Sequence, residues 1–218
     1  MGIANSMNHM SNKPTIFYIV RHGETDGNVC GLVQGQKDYP LNDKGVNQAK
    51  IRAQDLKKVH FSLTFSSDLV RAHKTAQIIA LEHDLIVTTT KALRERNYGK
   101  FEGMSRSDFS DEINTLFTKW YSLAGKEWLE HKIDEGVETG EEVVSRVFTF
   151  IREVAIGNPG KTILIVCHGG VMQNLLVHLG WSGQNELRAG TAIQNTAYFV
   201  LETDGSDMRV ISTKGITK

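Results

Sequence analysis

Two short segments carry the residue types that could do chemistry. Ile16-Phe17-Tyr18-Ile19-Val20 is an apolar run that predicts a buried strand, and it leads directly into Arg21-His22-Gly23-Glu24-Thr25. Far along the chain, Ile163-Leu164-Ile165-Val166 repeats the pattern and ends in Cys167-His168-Gly169-Gly170. Neutral imidazole is a nucleophile, and arginine does not lose its charge. Open α/β sheets bind ligands outside the carboxyl ends of their strands. If the two strands are parallel and central, both imidazoles stand at the same sheet edge. One His-Gly pair could be a satisfied histidine near the surface; two at equivalent strand ends require matching phase in distant segments. The expected chemistry is attack by His22 on an anionic centre, phosphate above all. His22 must then be neutral at its attacking nitrogen, and its other nitrogen is expected to donate to a backbone carbonyl.

A phosphate site needs further cations and a proton donor. Arg71 falls in the first turns of the helix expected after the second strand, near the positive end of that helix, where an anion is favoured. Leu93-Arg94-Glu95-Arg96-Asn97-Tyr98-Gly99-Lys100-Phe101-Glu102-Gly103 holds two carboxylates that could protonate a leaving oxygen, Glu95 and Glu102. Chemistry alone leaves both open, and either would have to be made to hold a proton by burial or by the substrate's charge. The two histidines with Glu24 do not have metal-site spacing, and their neighbours are basic, so no metal is expected.

The surrounding elements must bring these groups together. The pattern predicts strands at 15–21, 61–65, 86–90, 163–166, 197–201 and 208–213. Helices are expected from Asn42 or Asp43 to Leu56, after a Ser66 or Ser67 cap, at 141–156, and from Gly169 through Leu179. Gly23 to Pro40 reads as a long functional loop. Strand and helix alternate, which predicts a three-layer α/β/α sandwich with a mainly parallel sheet. Residues 97–140 differ: they hold Trp120 and Trp128 among mixed charges, with a helix expected from Arg106 to Leu123. They read as a small inserted cap over the carboxyl edge of the sheet. Residues 1–13 read as a polar, disordered leader, and 14–218 as a single domain.

Composition narrows the function classes. The chain has 218 residues with 25 basic and 25 acidic side chains, which argues against a nucleic-acid footprint. No apolar stretch reaches membrane-spanning length. Cys30 and Cys167 form no disulfide framework or zinc spacing, and a cytoplasmic location is the default. Met1-Gly2-Ile3-Ala4-Asn5-Ser6 fits the N-myristoylation pattern, a short one that chance often matches. Sheet-edge or helix-face contacts could make a homodimer.

Together these motifs resemble the histidine phosphatase superfamily, the phosphoglycerate mutase-like group whose acid lies in a Leu-Arg-Glu motif. The resemblance runs from Thr15 to about residue 213. It is carried by Arg21-His22-Gly23-Glu24-Thr25 with Asn28, by Gly31-Leu32-Val33-Gln34-Gly35-Gln36 and by Pro40-Leu41-Asn42 with Gly45 and Gln48-Ala49. Ser66-Ser67-Asp68-Leu69 with Arg71-Ala72 and Thr75-Ala76, and Leu93-Arg94-Glu95 with Tyr98-Gly99 and Glu102-Gly103, continue it.

The resemblance implies that His22 becomes a phosphohistidine, that Arg21, Arg71 and His168 complete the phosphate pocket, and that Glu95, rather than Glu102, is the proton donor. It places Asn28 on the phosphate and Gln34, Gly35, Tyr98 and Gly169 along the substrate. Arg106, by a looser match, falls where mutase relatives put a basic residue on a second anionic group. The branch with a late His-Asp acid does not fit, because that segment here is Gln194-Asn195-Thr196.

The resemblance implies a phosphatase acting on a small phosphorylated metabolite such as a sugar phosphate, phosphoserine or another monoester, without a cofactor. The alternatives are a phosphoglycerate mutase primed by 2,3-bisphosphoglycerate and a non-catalytic phospho-ligand binding module. Leu32-Val33-Gln34-Gly35-Gln36 stands where mutases carry Phe-Thr-Gly-Trp, and the cap holds Glu127, Glu130, Asp134, Glu135 and Glu138; both features favour the phosphatase. Gly140-Glu141-Glu142 departs from the usual Gly-Glu-Ser, which puts a substrate contact there in doubt.

Overall fold

The computed structural model describes residues 13–183, 185–187 and 192–217. The proposed leader and its myristoylation pattern lie outside the described residues, apart from Lys13. Six strands form one sheet: β1 (Thr15–Arg21), β2 (Leu63–Ser67), β3 (Val87–Thr90), β4 (Thr162–Cys167), β5 (Ile193–Thr203) and β6 (Met208–Ile216). Their order is β3-β2-β4-β1-β5-β6. β3, β2, β4 and β1 are parallel, while β5 and β6 are antiparallel additions. β4 is central, as its continuous apolar run predicts. β1 and β4 pair in register up to Arg21 opposite Cys167, so His22 and His168 leave the sheet side by side.

Among the described residues seven α-helices accompany the strands: α1 (Asp26–Val29), α2 (Asp43–Leu56), α3 (Val70–Leu81), α4 (Asp111–Ser122), α5 (Gly125–Glu130), α6 (Gly140–Gly157) and α7 (Gly169–His178). Strand residues alternate between two apolar layers. Val20, Leu164 and Val166 pack with Ala53 and Leu56 of α2 and Ala72, Ala76 and Ile79 of α3. Phe17, Ile19, Ile163 and Ile165 face the other way, onto Val143, Val147 and Ile151 of α6 and onto α7. Helices on both faces of a mainly parallel sheet make the expected three-layer sandwich.

Several element boundaries differ from expectation. The second strand begins at Leu63 and runs to Ser67. Neither Ser66 nor Ser67 caps α3: its N-cap is Leu69, and Ser67 Oγ accepts from Leu69 N before the helix starts. The helix expected from Arg106 begins instead at Asp111, because Ser110 caps it by accepting from Ile113 N. Arg106–Asp108 is a separate 3₁₀ turn. The long first loop contains α1, closed by a reciprocal capping box between Thr25 and Asn28. Within 97–140, Phe117, Trp120 and Trp128 join the same apolar layer as α6 and α7, and the indoles of Trp120 and Trp128 stack at 5.2 Å.

Candidate active site

The strand ends set the site's centre. His22 follows β1 directly and is 3% exposed. Its Nδ1 lies 2.7 Å from Gly23 O. A carbonyl only accepts, so Nδ1 carries the proton and Nε2 keeps its lone pair. This is the expected orienting bond. Burial, and then the charges of Arg71 and Arg21, push the His22 pKa well below the usual histidine range. His168 N-caps α7 and is 0% exposed, with its ring 5.2 Å from that of His22. Burial, Arg71 and His22 push its pKa down as well. Both imidazoles are held neutral.

Two buried guanidiniums flank them. Arg21 ends β1 and donates through Nη1 to Ile193 O. Arg71 is 1% exposed, and donates through Nη1 to Lys37 O at 2.8 Å and through Nη2 to Gly35 O at 2.7 Å. It therefore also ties the first loop to α3. Arg21 Nε, Arg71 Nε and both His168 ring nitrogens have no protein partner. Unpaired buried polar atoms are costly unless a polar ligand meets them.

The carboxylate assignment is visible in the geometry. Glu95 accepts from Gly170 N at 3.0 Å, Val171 N at 3.1 Å and Arg96 N at 2.8 Å. Two of these donors, Gly170 and Val171, are among the free N–H groups of the first turn of α7, which favour an anionic partner. Its main-chain oxygen is held by Gln36 Nε2 at 3.1 Å and Arg146 Nη2 at 3.3 Å. Glu102 is used differently. Its Oε1 bonds Gln36 N at 2.9 Å and Tyr98 N at 3.0 Å, clamping the first loop to the 97–103 segment.

One cavity of about 240 Å³ joins these groups. Arg21, His22, Arg71, Glu95, Asn28, Gln34, Gly35, Tyr98, Arg106 and Gly169 all line it. His168 is not one of its lining residues; its ring lies 5.2 Å from that of His22. Gln34 is anchored by Thr25 Oγ1 at 3.0 Å. Burial keeps the Tyr98 phenol protonated by raising its pKa. Arg106 is exposed and donates to Tyr121 Oη at 2.8 Å while resting over that ring.

Leu32, Val33, Phe117 and Gly170 also line the cavity, and the motif reading did not assign them. Gly170 had a signal, the doubled glycine after His168: a Cβ there would lie 2.6 Å from Glu95 Oε1. Phe117 had none, since only the packing of α4 brings it in.

The cap's acidic residues are not a charged wall of this cavity. Asp134 pairs with Lys100, Glu130 with Lys126 and Glu138 with Arg146. Glu142, the departure from Gly-Glu-Ser, closes a capping box on α6: it accepts from Thr139 N at 2.6 Å and its own N–H donates to Thr139 Oγ1 at 3.1 Å. Among the described residues no group of three or more His, Cys, Asp and Glu could hold a metal ion, and no helix is long and apolar enough to cross a membrane.

The profile of the histidine phosphatase superfamily (branch 1) matches residues 17–214. The chain belongs to that superfamily. It is 35% identical over 159 residues to phosphoglycerate mutase-like protein 4 of Arabidopsis thaliana, covering 72% of this chain and 67% of that one. It is 33% identical over 175 residues to the uncharacterized phosphatase PhoE of Bacillus subtilis, covering 80% and 82%. The solved structure of Bacillus stearothermophilus YhfR superposes with a TM-score of 0.80 at 25% identity, over 94% of this chain and 98% of that one. As a member of the histidine phosphatase superfamily the chain is an enzyme, and its relatives are named both as phosphatases and as phosphoglycerate mutases.

Proposed function

We propose that this enzyme hydrolyses a small phosphomonoester through a phosphohistidine at His22, without a metal or organic cofactor. The observation that carries the reading is the convergence at one cavity of a neutral imidazole, two buried guanidiniums and a carboxylate. The guanidiniums complement a phosphate's charge, and the imidazole whose Nδ1 proton is held by Gly23 O leaves Nε2 to attack.

In the first step the Nε2 lone pair attacks phosphorus in line, forming the P–N bond as the P–O bond to the alcohol breaks. Arg21 and Arg71, which line the cavity, stabilise the equatorial oxygens, and His168, beside His22 with both ring nitrogens free of protein partners, adds a neutral donor to the same group. The leaving oxygen takes the P–O electron pair and accepts a proton from Glu95. The Glu95 carboxylate then removes a proton from water, which attacks phosphorus and releases His22. Positioning and fixed charge supply most of the acceleration.

The remaining cavity wall supports a phosphatase acting on a small monoester. Leu32, Val33 and Phe117 give it an apolar side, and Arg106 is its one cation apart from Arg21 and Arg71 among the described residues. The mutase reading rests on relatives such as the Arabidopsis thaliana protein; there a second substrate hydroxyl would replace water, with 2,3-bisphosphoglycerate as primer. A panel of phosphomonoesters assayed in EDTA, including 3-phosphoglycerate with 2,3-bisphosphoglycerate, separates the two. The phosphatase reading expects released phosphate to exceed mutase product; the reverse overturns it. Loss of all activity in EDTA overturns the metal-free mechanism.

A further inference from the structure

Thr196 adopts a left-handed backbone, with φ at 58°. Only one other described non-glycine residue does so, Asp84 at φ 53°. Aspartate tolerates this conformation; a β-branched threonine strongly disfavours it. Thr196 lies where the pairing of β5 with β6 shifts register, between Ile193 and Tyr198. Such bulges often stand beside active sites.

This bulge holds three cavity residues. Ile193 O accepts from Arg21. Asn195 Nδ2 donates to His22 O at 3.1 Å and to Asn28 Oδ1 at 3.4 Å. Thr196 N donates to His22 O at 3.3 Å. The carbonyl of the nucleophile thus receives two donors from adjacent residues of a strained turn.

Arg52 of α2 restrains that turn. Its buried side chain donates through Nε to Thr196 O at 2.8 Å. The guanidinium is fixed in turn by Asp55 at 2.8 Å and by the Tyr198 ring, 5.0 Å beneath it. Asp55 also binds Lys214 of β6 at 3.0 Å.

We propose that Arg52 is a positioning residue for the reaction: by fixing Thr196 O it keeps Thr196 left-handed, and so keeps both donors on the His22 carbonyl. The inference rests on His22 being the nucleophile. Without Arg52 the threonine can relax to an ordinary conformation, which withdraws its N–H from His22 O and lets the imidazole drift. Glycine takes the left-handed conformation freely. Thr196→Gly should therefore make Arg52 dispensable, an outcome that a merely structural ion pair with Asp55 does not produce.

The test is a double-mutant cycle with p-nitrophenyl phosphate, reading kcat, KM and Tm. Arg52→Met should lower kcat about tenfold or more with KM changed less than about threefold, as expected for a misplaced nucleophile. Thr196→Gly alone, and Asp55→Asn as a control on the ion pair, should stay within about threefold of the parent kcat. The double variant Arg52→Met with Thr196→Gly should return to within about threefold of Thr196→Gly. If Arg52→Met does not fold, Arg52→Lys, which keeps a cation beside Asp55 but loses the Nε donor, takes its place in the same cycle. A double variant as slow as the Arg52 variant, or an Arg52 variant with unchanged kcat, overturns the proposal. His22→Ala run alongside separates the two levels: an active His22→Ala overturns the nucleophile assignment itself, whereas an inactive one with no rescue overturns only the role of Arg52.

Discussion

The Glu95 carboxylate is seated on the first turn of α7, with Gly170 N 3.0 Å away. The same turn is capped by His168, so the proton-transfer group and the second imidazole share one structural support. Closeness here depends on the absence of a side chain at residue 170, where a Cβ would fall 2.6 Å from Glu95 Oε1. Gly170→Ala should push the carboxylate out of line and lower kcat by about ten- to a hundredfold, the scale of an ångström's misplacement. Steady-state kinetics on protein with unchanged far-UV circular dichroism checks this; a kcat equal to the parent's would contradict it.

If Glu95 protonates the leaving group, its loss must hurt poor leaving groups most. Glu95→Gln should lower kcat for an alkyl phosphate by about two to four decades, the span of general acid–base catalysis. The deficit should be smaller for p-nitrophenyl phosphate, whose leaving oxygen needs no proton. Equal deficits for both substrates would remove Glu95 from the acid role. Glu102→Ala, by contrast, removes the Oε1 acceptor that clamps Gln36 N and Tyr98 N and should affect both substrates alike.

The strand ends were readable because each couples an apolar run to a His-Gly punctuation, and parallel pairing then fixes both histidines at one edge. The choice of Glu95 over Glu102 is not readable from chemistry, since both are carboxylates of one short basic segment; it depends on which carboxylate meets α7. The start of α4 was misplaced because mixed charges around Arg106 extend the helical pattern, while the Ser110 cap decides the boundary. The acidic cap residues read as a specificity signal in the sequence, but Asp134 and Glu138 have tertiary partners in Lys100 and Arg146, and Glu130 pairs with Lys126 one turn away on the same helix. Nothing in Gln194-Asn195-Thr196 announces that it holds the His22 carbonyl, because that contact depends on a bulge between strands.

Both imidazoles also tie stability to pH. Burial first, and then Arg71, lowers the pKa of His22 and of His168 in the folded state. Between that lowered value and the unfolded value near 6.5, the unfolded chain binds more protons. Their stabilising contribution is complete above the unfolded value and is lost as pH falls through it toward the folded value. Tm should drop from about pH 7 to pH 5, and His22→Asn should show a shallower drop. Parallel curves for parent and variant would mean that His22 is not held neutral.

Glu142→Ser restores the commoner Gly-Glu-Ser sequence but removes half of the capping box on α6. The expected result is a loss of about 0.5–1 kcal/mol of stability with kcat/KM unchanged, measured by urea unfolding and steady-state assay. A variant that alters kcat/KM by tenfold or more, about 1.4 kcal/mol of transition-state stabilisation, would place Glu142 in contact with substrate instead.

The central claim is a phosphoryl group carried on His22, and rapid acid-free quenching during turnover of a ³²P-labelled monoester tests it most directly. The account predicts a base-stable, acid-labile label on the peptide containing His22, absent from His22→Ala together with turnover. A label on another residue, or turnover retained in His22→Ala, would contradict it.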